Sequence, residues 1–384
     1  NNITVVGNTG SYGGGLQLAG GCNPTINNSI LRGNSPHEIM IGIGDQPDTV
    51  SISYSDIFGG QDSIVTSDNG TVIWGDGNID ENPRFCDSDT LEFYLPANSP
   101  CAGTGENGAN MGAFEVGCGD LYLSLSVPSD YTTIQSAIDE TLNGDTVMVD
   151  NGTYVENINF SGKAITVTSV NGPDSTIIDG GGIDIVVTFD SYENASSILS
   201  GFTITNGNAR DNWPYNRGGG INCQSSSPIL KDLIIIDNTA QGGGGGVYLL
   251  NASPEIYYCD ITNNTGGWNG GGMYIEGVNG TTSAYIHHVD IIGNTGSAGG
   301  GAQIQGSNPI FHNVAIIGNT ATAGGGLHFE QSNAELSNVT IVNNTAQNGG
   351  GIQLKENYDD VSEVWLDNSI MWENNPQEIY FHPE

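Results

Sequence analysis

One short phrase, three glycines followed by an aliphatic residue, recurs through the second half of the chain and constrains the fold more than any other feature. The last glycines of successive copies are separated by 26, 26, 29, 25 and 25 residues. The copies are Gly218–Ile221, Gly244–Val247, Gly270–Met273, Gly299–Ala302, Gly324–Leu327 and Gly349–Ile352. An Asn-Thr pair keeps the same spacing from Asn238 to Thr345. Such a period is typical of a solenoid, in which each turn of chain buries its apolar side only against its neighbours.

The segments between the glycines indicate which solenoid this is. Leu233–Ile236, Val314–Ile317 and Val339–Val342 are short and rich in β-branched residues, which favour strands over helices. About 25 residues with three short strands and three turns make one coil of a right-handed parallel β-helix, whose coils stack about 4.8 Å apart. We therefore predict an all-β fold, a right-handed parallel β-helix, with the repeated asparagines forming a hydrogen-bonded ladder between coils.

The beginning of the chain repeats its end. Residues 1–18 match residues 337–354 at an offset of 336, and residues 29–39 match residues 369–379 at an offset of 340. A new start follows near residue 130, where Ile134, Ala137 and Ile138 have the spacing of a short amphipathic helix. We predict two β-helical units in tandem. Residues 1–117 form the C-terminal coils and closing region of a first β-helix, 118–128 a linker, and 129–384 the capping helix and coils of a second, similar β-helix.

Three stretches resemble known families. The helix followed by Gly144–Val149, Gly152–Ile158 and Lys163–Ser169 resembles the opening of the pectin-lyase-like right-handed β-helix superfamily. The Gly-Gly-Gly-aliphatic and Asn-Thr phrases resemble the repeats of polymorphic outer membrane proteins. Ser99–Cys101 with Met111–Glu115 resembles the C-terminal closing region of bacterial secreted β-helix proteins of the choice-of-anchor type. These resemblances imply the fold more directly than the function, because the superfamily includes polysaccharide lyases and hydrolases as well as other proteins.

The charge of the chain excludes some partners. Seven Lys and Arg residues stand against 43 Asp and Glu residues, which gives a formal net charge of −36. A polyanion such as nucleic acid or an anionic membrane surface finds little counter-charge on such a protein. The chain also contains no run of 18 or more apolar residues, so we expect no membrane insertion. This balance suits a protein that is extracellular or on the cell surface.

Six cysteines are present, and none forms a CxxC pair of the kind that binds zinc. Cys86, Cys101 and Cys118 lie in one loop-rich stretch, and a Cys86–Cys101 disulfide is the preferred pairing in an oxidising compartment. Cys259 aligns with Leu233 and with the valines of later repeats, so we predict a buried core position for it.

Three groups of residues are candidate ligand sites. Asp76, Asn78 and Asp80 place oxygen atoms at alternate positions around a glycine, as a Ca²⁺ loop does; an ordinary turn is the alternative. The stretch 209–217 gathers Trp213, Tyr215 and Arg217, which predicts a carbohydrate-binding ledge, with a long turn as the alternative. His287 and His288 are adjacent on a predicted strand, so alternation points them to opposite faces and they are not expected to share a metal ion.

Many Asn-x-Ser/Thr sequons occur, as expected in an Asn-rich and Thr-rich repeat. The candidates for glycosylation in the predicted turns and loops are Asn69, Asn194, Asn251 and Asn279.

The combination of repeats and missing chemistry favours a structural function. We find neither the clustered carboxylates with a basic residue that a Ca²⁺-dependent lyase needs nor the paired carboxylates of an inverting hydrolase, so no catalytic residue is predicted. We expect a non-catalytic extracellular protein, an adhesin-like subunit of a fibre or filament whose partners are copies of itself, arranged head-to-tail. The alternatives are a carbohydrate-binding β-helix module whose partners are glycans and, less favoured, a polysaccharide lyase or hydrolase.

Overall fold

The computed structural model describes residues 1–87, 93–210, 216–278, 280, 282–355 and 362–382. The chain divides into two compact units, Asn1–Leu121 and Tyr122–Glu384. Across the described ranges the strands form an all-β parallel solenoid of about 14 turns with one short α-helix, which confirms the predicted fold class at this level. None of the helices in these ranges is long and apolar enough to cross a membrane.

The first unit is built from short strands. In chain order they are β1 (Thr4–Val6), β2 (Leu16–Ala19), β3 (Thr25–Asn27), β4 (Ile30–Arg32), β5 (Ile39–Ile43), β6 (Asp48–Ser53), β7 (Asp56–Ile57), β8 (Val65–Thr66), β9 (Gly70–Trp74), β10 (Leu95–Pro96) and β11 (Val116–Cys118). Two 3₁₀ turns cover Gln61–Ser63 and Glu106–Gly108. Three parallel sheets of described strands, β1–β4–β7, β2–β5–β8 and β3–β6–β9, enclose a core that includes Leu31, Ile41 and Ile52.

The second unit begins with β12 (Ser124–Val127) and α1 (Ile134–Glu140). The first coils contain β13 (Thr146–Val149), β14 (Gly152–Val155), β15 (Ile158–Asn159), β16 (Thr166–Ser169), β17 (Thr176–Asp179), β18 (Val187–Phe189), β19 (Ile198–Ser200), β20 (Thr203–Thr205) and β21 (Asn208–Ala209). The middle coils contain β22 (Ile221–Gln224), β23 (Ile229–Lys231), β24 (Ile234–Ile236), β25 (Thr239–Ala240), β26 (Val247–Leu250), β27 (Glu255–Thr262), β28 (Thr265–Gly266) and β29 (Met273–Glu276). The last coils contain β30 (Tyr285–Ile292), β31 (Ala302–Gln305), β32 (Ile310–Ile317), β33 (Leu327–Glu330), β34 (Asn333–Val342), β35 (Ile352–Lys355), β36 (Glu363–Asp367), β37 (Ile370–Trp372) and β38 (Ile379–His382).

One flat side of this unit is a sheet of nine described parallel strands, in the order β15–β18–β22–β26–β29–β31–β33–β35–β38. Each four-residue strand from β22 to β35 begins at the aliphatic residue that follows the repeated glycines. Its first and third residues, such as Ile221 and Cys223, enter the core, so alternation points the second and fourth residues outward. We call this outward side the nine-stranded face.

The opposite wall bends once in every coil. β27 pairs with β23 before the bend and with β24 after it, so two short strands of one coil correspond to one long strand of the next. One residue per coil adopts a left-handed backbone at the bend, including Tyr258 with φ 53°, His288 with φ 53° and Asn313 with φ 54°. The left-handed residue interrupts the alternation of the strand, so the two residues at the bend both avoid the core.

The predicted asparagine ladder is confirmed. Asn238 Nδ2 donates to Asn264 Oδ1 at 3.1 Å, and the same bond continues through Asn294, Asn319 and Asn344 to Asn374. The side chains are buried, and each also bonds the backbone of an adjacent coil. Buried amides of this kind are stable only when their donors and acceptors are paired, which explains why asparagine recurs at one position.

The predicted helix is also observed as α1, and its Ile134, Ala137 and Ile138 are fully buried in the core of the second unit. The predicted linker 118–128 is wrong in part. Cys118 ends β11 of the first unit, and Ser124–Val127 forms β12, which pairs in register with β13. The sequence Ser-Leu-Ser-Val alternates polar and apolar residues as a strand does, and Leu125 and Val127 are buried.

The preferred disulfide is wrong. Cys86 is bonded to Cys118, and their Cα atoms are 6.2 Å apart. The cause is the pairing of β10 with β11, together with the bond from Cys86 N to Tyr94 O, which carries Cys86 toward the end of β11. Cys101 is instead fully buried beside Ile30 and Met111 and forms no disulfide. The predicted core position of Cys259 is confirmed, since the residue is 1% exposed and lies opposite Val289.

Candidate functional site

The residues of the predicted calcium loop make hydrogen bonds to other residues of the first unit. Asn78 Oδ1 accepts from Ser55 N at 3.0 Å, and its amide nitrogen donates to Ile52 O at 3.0 Å. Asp80 accepts from Arg32 at 3.1 Å and from Gly59 N at 2.9 Å. Asp76 accepts through its backbone oxygen from Tyr54 N. These bonds tie neighbouring coils together, so they favour the turn interpretation over the calcium interpretation.

Arg217, predicted as part of a sugar-binding ledge, lies at one position on the nine-stranded face. Its guanidinium lies 5.2 Å from the ring centre of Tyr248 and 5.1 Å from that of Tyr274. It donates to Tyr248 Oη at 2.7 Å and to a carboxylate oxygen of Glu276, and the Glu276 oxygen also accepts from Tyr248. Burial raises the pKa of the Tyr248 phenol, which keeps it a neutral donor. Arg217 is thus held against the face, and Trp213 and Tyr215 lie outside the described residues.

The second residues of the strands form a row along the nine-stranded face. In register they are Asn222, Tyr248, Tyr274, Gln303, His328 and Gln353. All are at least nine-tenths buried although they point away from the core. A Cβ atom added at Gly324 or Gly349 would lie 2.9 or 3.0 Å from the Cβ atom of His328 or Gln353, so there is little space beside these side chains. The fourth residues of the strands, including Glu276, Gln305, Glu330 and Lys355, flank this row and are only partly buried.

Several polar atoms of this row are buried without a hydrogen-bond partner. Among the described residues they are Asn222 Oδ1, Gln303 Oε1, both ring nitrogens of His328, and Gln353 Oε1. Asn216 Oδ1 and Arg217 Nε, which precede β22, are also buried and unpaired. Burial lowers the pKa of His328 to about 4, against the opposing effect of Glu330, so its ring is neutral. A buried polar atom left unpaired costs about 1–3 kcal/mol, so native proteins rarely retain several on one surface without a ligand or water to pair them.

One of these residues, Asn222, lines a cleft. The cleft has a volume of about 340 Å³ and lies on the nine-stranded face over β15, β18 and β22. Its lining consists of Asn157, Ile158, Asn159, Asp184, Ile185, Thr188, Asp190, Asn222 and Gln224. Asn222 is 0% exposed, and its amide nitrogen donates to Arg217 O at 2.9 Å while its oxygen remains unpaired. Sequence reasoning missed this cleft because β15 and β18 precede the glycine-marked repeats.

The expectation that His287 and His288 point to opposite faces is wrong. The left-handed backbone of His288 turns both rings away from the core, and their Nδ1 atoms are 3.0 Å apart. The signal was present in the sequence, since Asn313 and Asn338 occupy the equivalent position in later coils and asparagine readily adopts this backbone. Within the described residues, no set of three or more His, Cys, Asp and Glu side chains is grouped to hold a metal ion.

Three of the four candidate glycosylation asparagines lie within the described residues. Asn69, Asn194 and Asn251 are exposed, and Asn251 sits in a turn with φ 50°. Asn194 Oδ1 accepts from Ser196 N at 2.8 Å, which leaves its amide nitrogen directed away from that bond. Asn279 lies outside the described residues.

Comparison with known proteins gives similarities at the level of solved structures. No family model matches the chain, and no curated protein matches it. A mutant pectin methylesterase in complex with a hexasaccharide is similar over 69% of this chain and 93% of its own, with 11% identity and a TM-score of 0.44. The carrot pectin methylesterase is similar over 69% and 88%, with 12% identity and a TM-score of 0.41. The pectin methylesterase PemA from Erwinia chrysanthemi is similar over 58% and 79%, with 11% identity and a TM-score of 0.39. At these scores the similarity carries no argument about what this chain binds or does.

Proposed function

We propose that this protein is a non-catalytic extracellular β-solenoid that binds glycans on its nine-stranded face, with the cleft around Asn222 as the principal site. The observation that supports this most directly is the unpaired Oδ1 atom of Asn222, which is fully buried at the wall of a polar cleft. The extracellular location is supported by the Cys86–Cys118 disulfide, since disulfides persist mainly in oxidising compartments.

The cleft has the chemistry that sugar hydroxyl groups need. Gln224 offers an amide donor and acceptor, and Thr188 offers a hydroxyl. The amide nitrogens of Asn157, Asn159 and Asn222 each donate one hydrogen bond within the protein and keep a second N–H. Its volume of about 340 Å³ falls at the lower end of ordinary ligand pockets, which suits one or two sugar rings. A sugar hydroxyl that donates to Asn222 Oδ1 would remove the cost of leaving that oxygen unpaired.

The charge around the cleft indicates which glycans it takes. Asp184 and Asp190 are exposed at its rim, none of the described residues that line it is Lys or Arg, and the whole chain carries a formal charge of −36. Uronate-rich polymers would meet repulsion there, since like charges brought together cost free energy. Neutral sugars and amino sugars are therefore the class of ligand proposed.

A glycan array followed by calorimetry tests the proposal. Binding of a neutral or amino-sugar glycan is expected, and Thr188→Val, which replaces a hydroxyl by a methyl group of similar size, should weaken it about tenfold or more. Asn222→Leu should weaken it as well, while Asn171→Ala, at an exposed asparagine elsewhere in the unit, should not. Absence of any glycan ligand, or equal affinity in all three variants, would overturn the proposal.

A structural filament is the second candidate, and exposed apolar side chains on the coil of β36, β37 and β38 favour it. Trp365, Ile370, Trp372 and Phe381 are 60%, 59%, 65% and 64% exposed. We propose that this coil contacts another copy of the chain. We also propose that the two units are related right-handed β-helices in tandem. The sequence offsets support this, as do the resemblances to pectin-lyase-like, choice-of-anchor-type and polymorphic-outer-membrane-protein sequences.

Light scattering and electron microscopy test the filament. Association that grows with concentration and is lost in Trp372→Asp is expected. The matched control is Trp268→Asp, because Trp268 is 62% exposed but lies in a turn of another coil. Monomers at every concentration, or the same association in both variants, would contradict this candidate.

A further inference from the structure

The wall opposite the nine-stranded face carries two histidines whose rings meet. His287 and His288 are neighbours in β30, and His288 has φ 53°, so both side chains leave the core. His288 is exposed, and the His287 side chain is 14% exposed. The Nδ1 atoms lie 3.0 Å apart, a distance at which one of them must carry a proton and donate it to the other.

The neighbouring bonds decide which ring donates. Asn338 Nδ2 donates to Asn313 Oδ1 at 3.1 Å, and Asn313 Nδ2 lies 3.1 Å from His288 Nε2. His288 Nε2 therefore accepts, and its proton resides on Nδ1 and is donated to His287 Nδ1. His287 then carries its own proton on Nε2, which lies 3.3 Å from Glu255 Oε1 and donates to it. The lone pair of His287 Nδ1 thus faces His288.

Aromatic contacts fix the orientation of the rings. The His287 ring is stacked on Tyr257, with the centroids 4.9 Å apart and 6° between the planes. The Tyr285 ring, which belongs to the same strand as His287, has its centroid 4.5 Å from that of His287. Tyr258 packs against His288 at 5.1 Å between centroids. Tyr257 and His287 face each other in register on adjacent strands, so the backbone ladder positions this cluster. The two imidazoles are preorganised before any ligand arrives.

We propose that His287 and His288 form a bidentate binding site for a divalent transition-metal ion, with Cu²⁺ as the favoured ion. The two Nδ1 atoms are 3.0 Å apart, and a metal ion bonds a histidine nitrogen at about 2.0–2.1 Å. The angle between the two nitrogen–ion bonds would therefore be about 90–95°. That angle suits the tetragonal geometry of Cu²⁺ better than the tetrahedral geometry of Zn²⁺. Glu255, by accepting from His287 Nε2, supplies the carboxylate partner that metal-binding histidines usually have.

The protons balance without net release. When the ion binds, the proton on His288 Nδ1 is lost to solvent and another is taken up on Nε2, so the ring stays neutral. The Asn313 amide then rotates to present its oxygen to Nε2, and the Asn338 amide rotates with it so that its oxygen accepts from Asn313 Nδ2. Two protein nitrogens hold the ion, and water completes its coordination.

Copper titration followed by electron paramagnetic resonance tests the site in the full chain. One equivalent of Cu²⁺ with hyperfine coupling to two imidazole nitrogens is expected, which separates this site from ions held by surface carboxylates. His288→Asn and His287→Ser, which use the residue types found at the matching positions Asn313 and Ser337, should each lower the affinity at least tenfold. His37→Asn, in the first unit, is the control and should leave the spectrum unchanged.

Three outcomes would overturn the proposal. These are a spectrum without nitrogen coupling, a spectrum with a single nitrogen, and affinities that His288→Asn leaves unchanged. Circular dichroism of each variant shows whether the fold is retained, and a loss of binding counts in favour only when it is.

Discussion

Asn319 Nδ2 donates a hydrogen bond of 3.0 Å to Asn344 Oδ1, and neither residue is exposed to solvent. Asn319 also accepts from Asn294 and donates to Ile291 O. Asn319→Ala leaves these buried groups unpaired, so we expect a loss of about 2–4 kcal/mol in the free energy of unfolding, measured by urea denaturation. Asn348→Ala, at an exposed asparagine that lies in register with Ala323 of the preceding coil, should cost less than about 0.5 kcal/mol. Equal losses in the free energy of unfolding for the two variants would contradict the conclusion that the hydrogen bonds of the ladder stabilise the fold.

The repeated glycines predict a steric effect. A Cβ atom on Gly300 would lie 2.5 Å from Gly325 O and 2.6 Å from Thr320 O, both in the next coil. Gly300→Ala must therefore push two coils apart, and we expect a loss of about 3 kcal/mol or more in thermal or urea unfolding. The control is Gly119→Ala, where an added Cβ meets no atom within 4 Å. A tolerated Gly300→Ala would show that the coils are less tightly stacked than the structure indicates.

The disulfide can be checked directly. Mass spectrometry of a non-reduced digest is expected to yield a peptide pair that joins Cys86 to Cys118. Because the bond closes a segment of 32 residues, Cys118→Ser should lower the stability of the first unit by about 3–4 kcal/mol in the chain-entropy treatment. Cys22→Ser, at an exposed cysteine without a disulfide, is the matched control. Recovery of a Cys86–Cys101 pair would refute the assignment.

Asp56 predicts a pH dependence for the first unit. Burial raises the pKa of its carboxyl group to about 7, although Arg32 acts in the opposite direction. Between about pH 4 and pH 7 the folded state keeps a proton that the unfolded state has lost, so stability present below pH 4 falls as the pH rises to 7. Asp56→Asn should largely remove this loss of stability, which is on the order of 3 kcal/mol between pH 4 and pH 7, in urea denaturation at several pH values. Asp76→Asn should retain the slope of the natural sequence.

His328 predicts the opposite slope for the second unit. Burial lowers its pKa to about 4, whereas an unfolded histidine titrates near pH 6.5. The unfolded state therefore binds a proton first, and stability present above about pH 6.5 falls as the pH drops toward 4. His328→Gln, the residue type at Gln303 and Gln353 in the same row, should reduce this acid sensitivity, measured as the change in urea midpoint between pH 7 and pH 4.5. An unchanged difference between the two midpoints would contradict the assignment.

The repeated elements of the fold were predictable because each residue type has one physical task. Asparagine at one position per coil forms the ladder, and glycine stands where stacked backbones leave no space for a Cβ atom. The apolar spacing of Ile134, Ala137 and Ile138 predicted α1, and alignment of the repeats placed Cys259 in the core. These features depend on local periodicity, which a single sequence displays.

The features that the sequence did not reveal depend on contacts between distant segments or on a local change of backbone. Cys86 meets Cys118 because β10 pairs with β11, and a shorter spacing favoured the wrong partner. His288 leaves its expected face because one left-handed residue breaks the alternation of the strand. The cleft at Asn222 requires strands of three successive coils, and two of them, β15 and β18, do not begin directly after three glycines as β22 does.

The left-handed bend recurs at one position in every coil from Asp232 to Asn338 and places an outward side chain there each time. Because neighbouring coils are stacked about 4.8 Å apart, the outward side chains at these positions form a row with that spacing. The residues at these positions change from Asp232 to Tyr258, His288 and Asn313 while the core residues on either side of the bend stay apolar. The residue at any one of these positions can therefore be substituted, and the surface chemistry changed there, without altering the core residues of the coil that carries it.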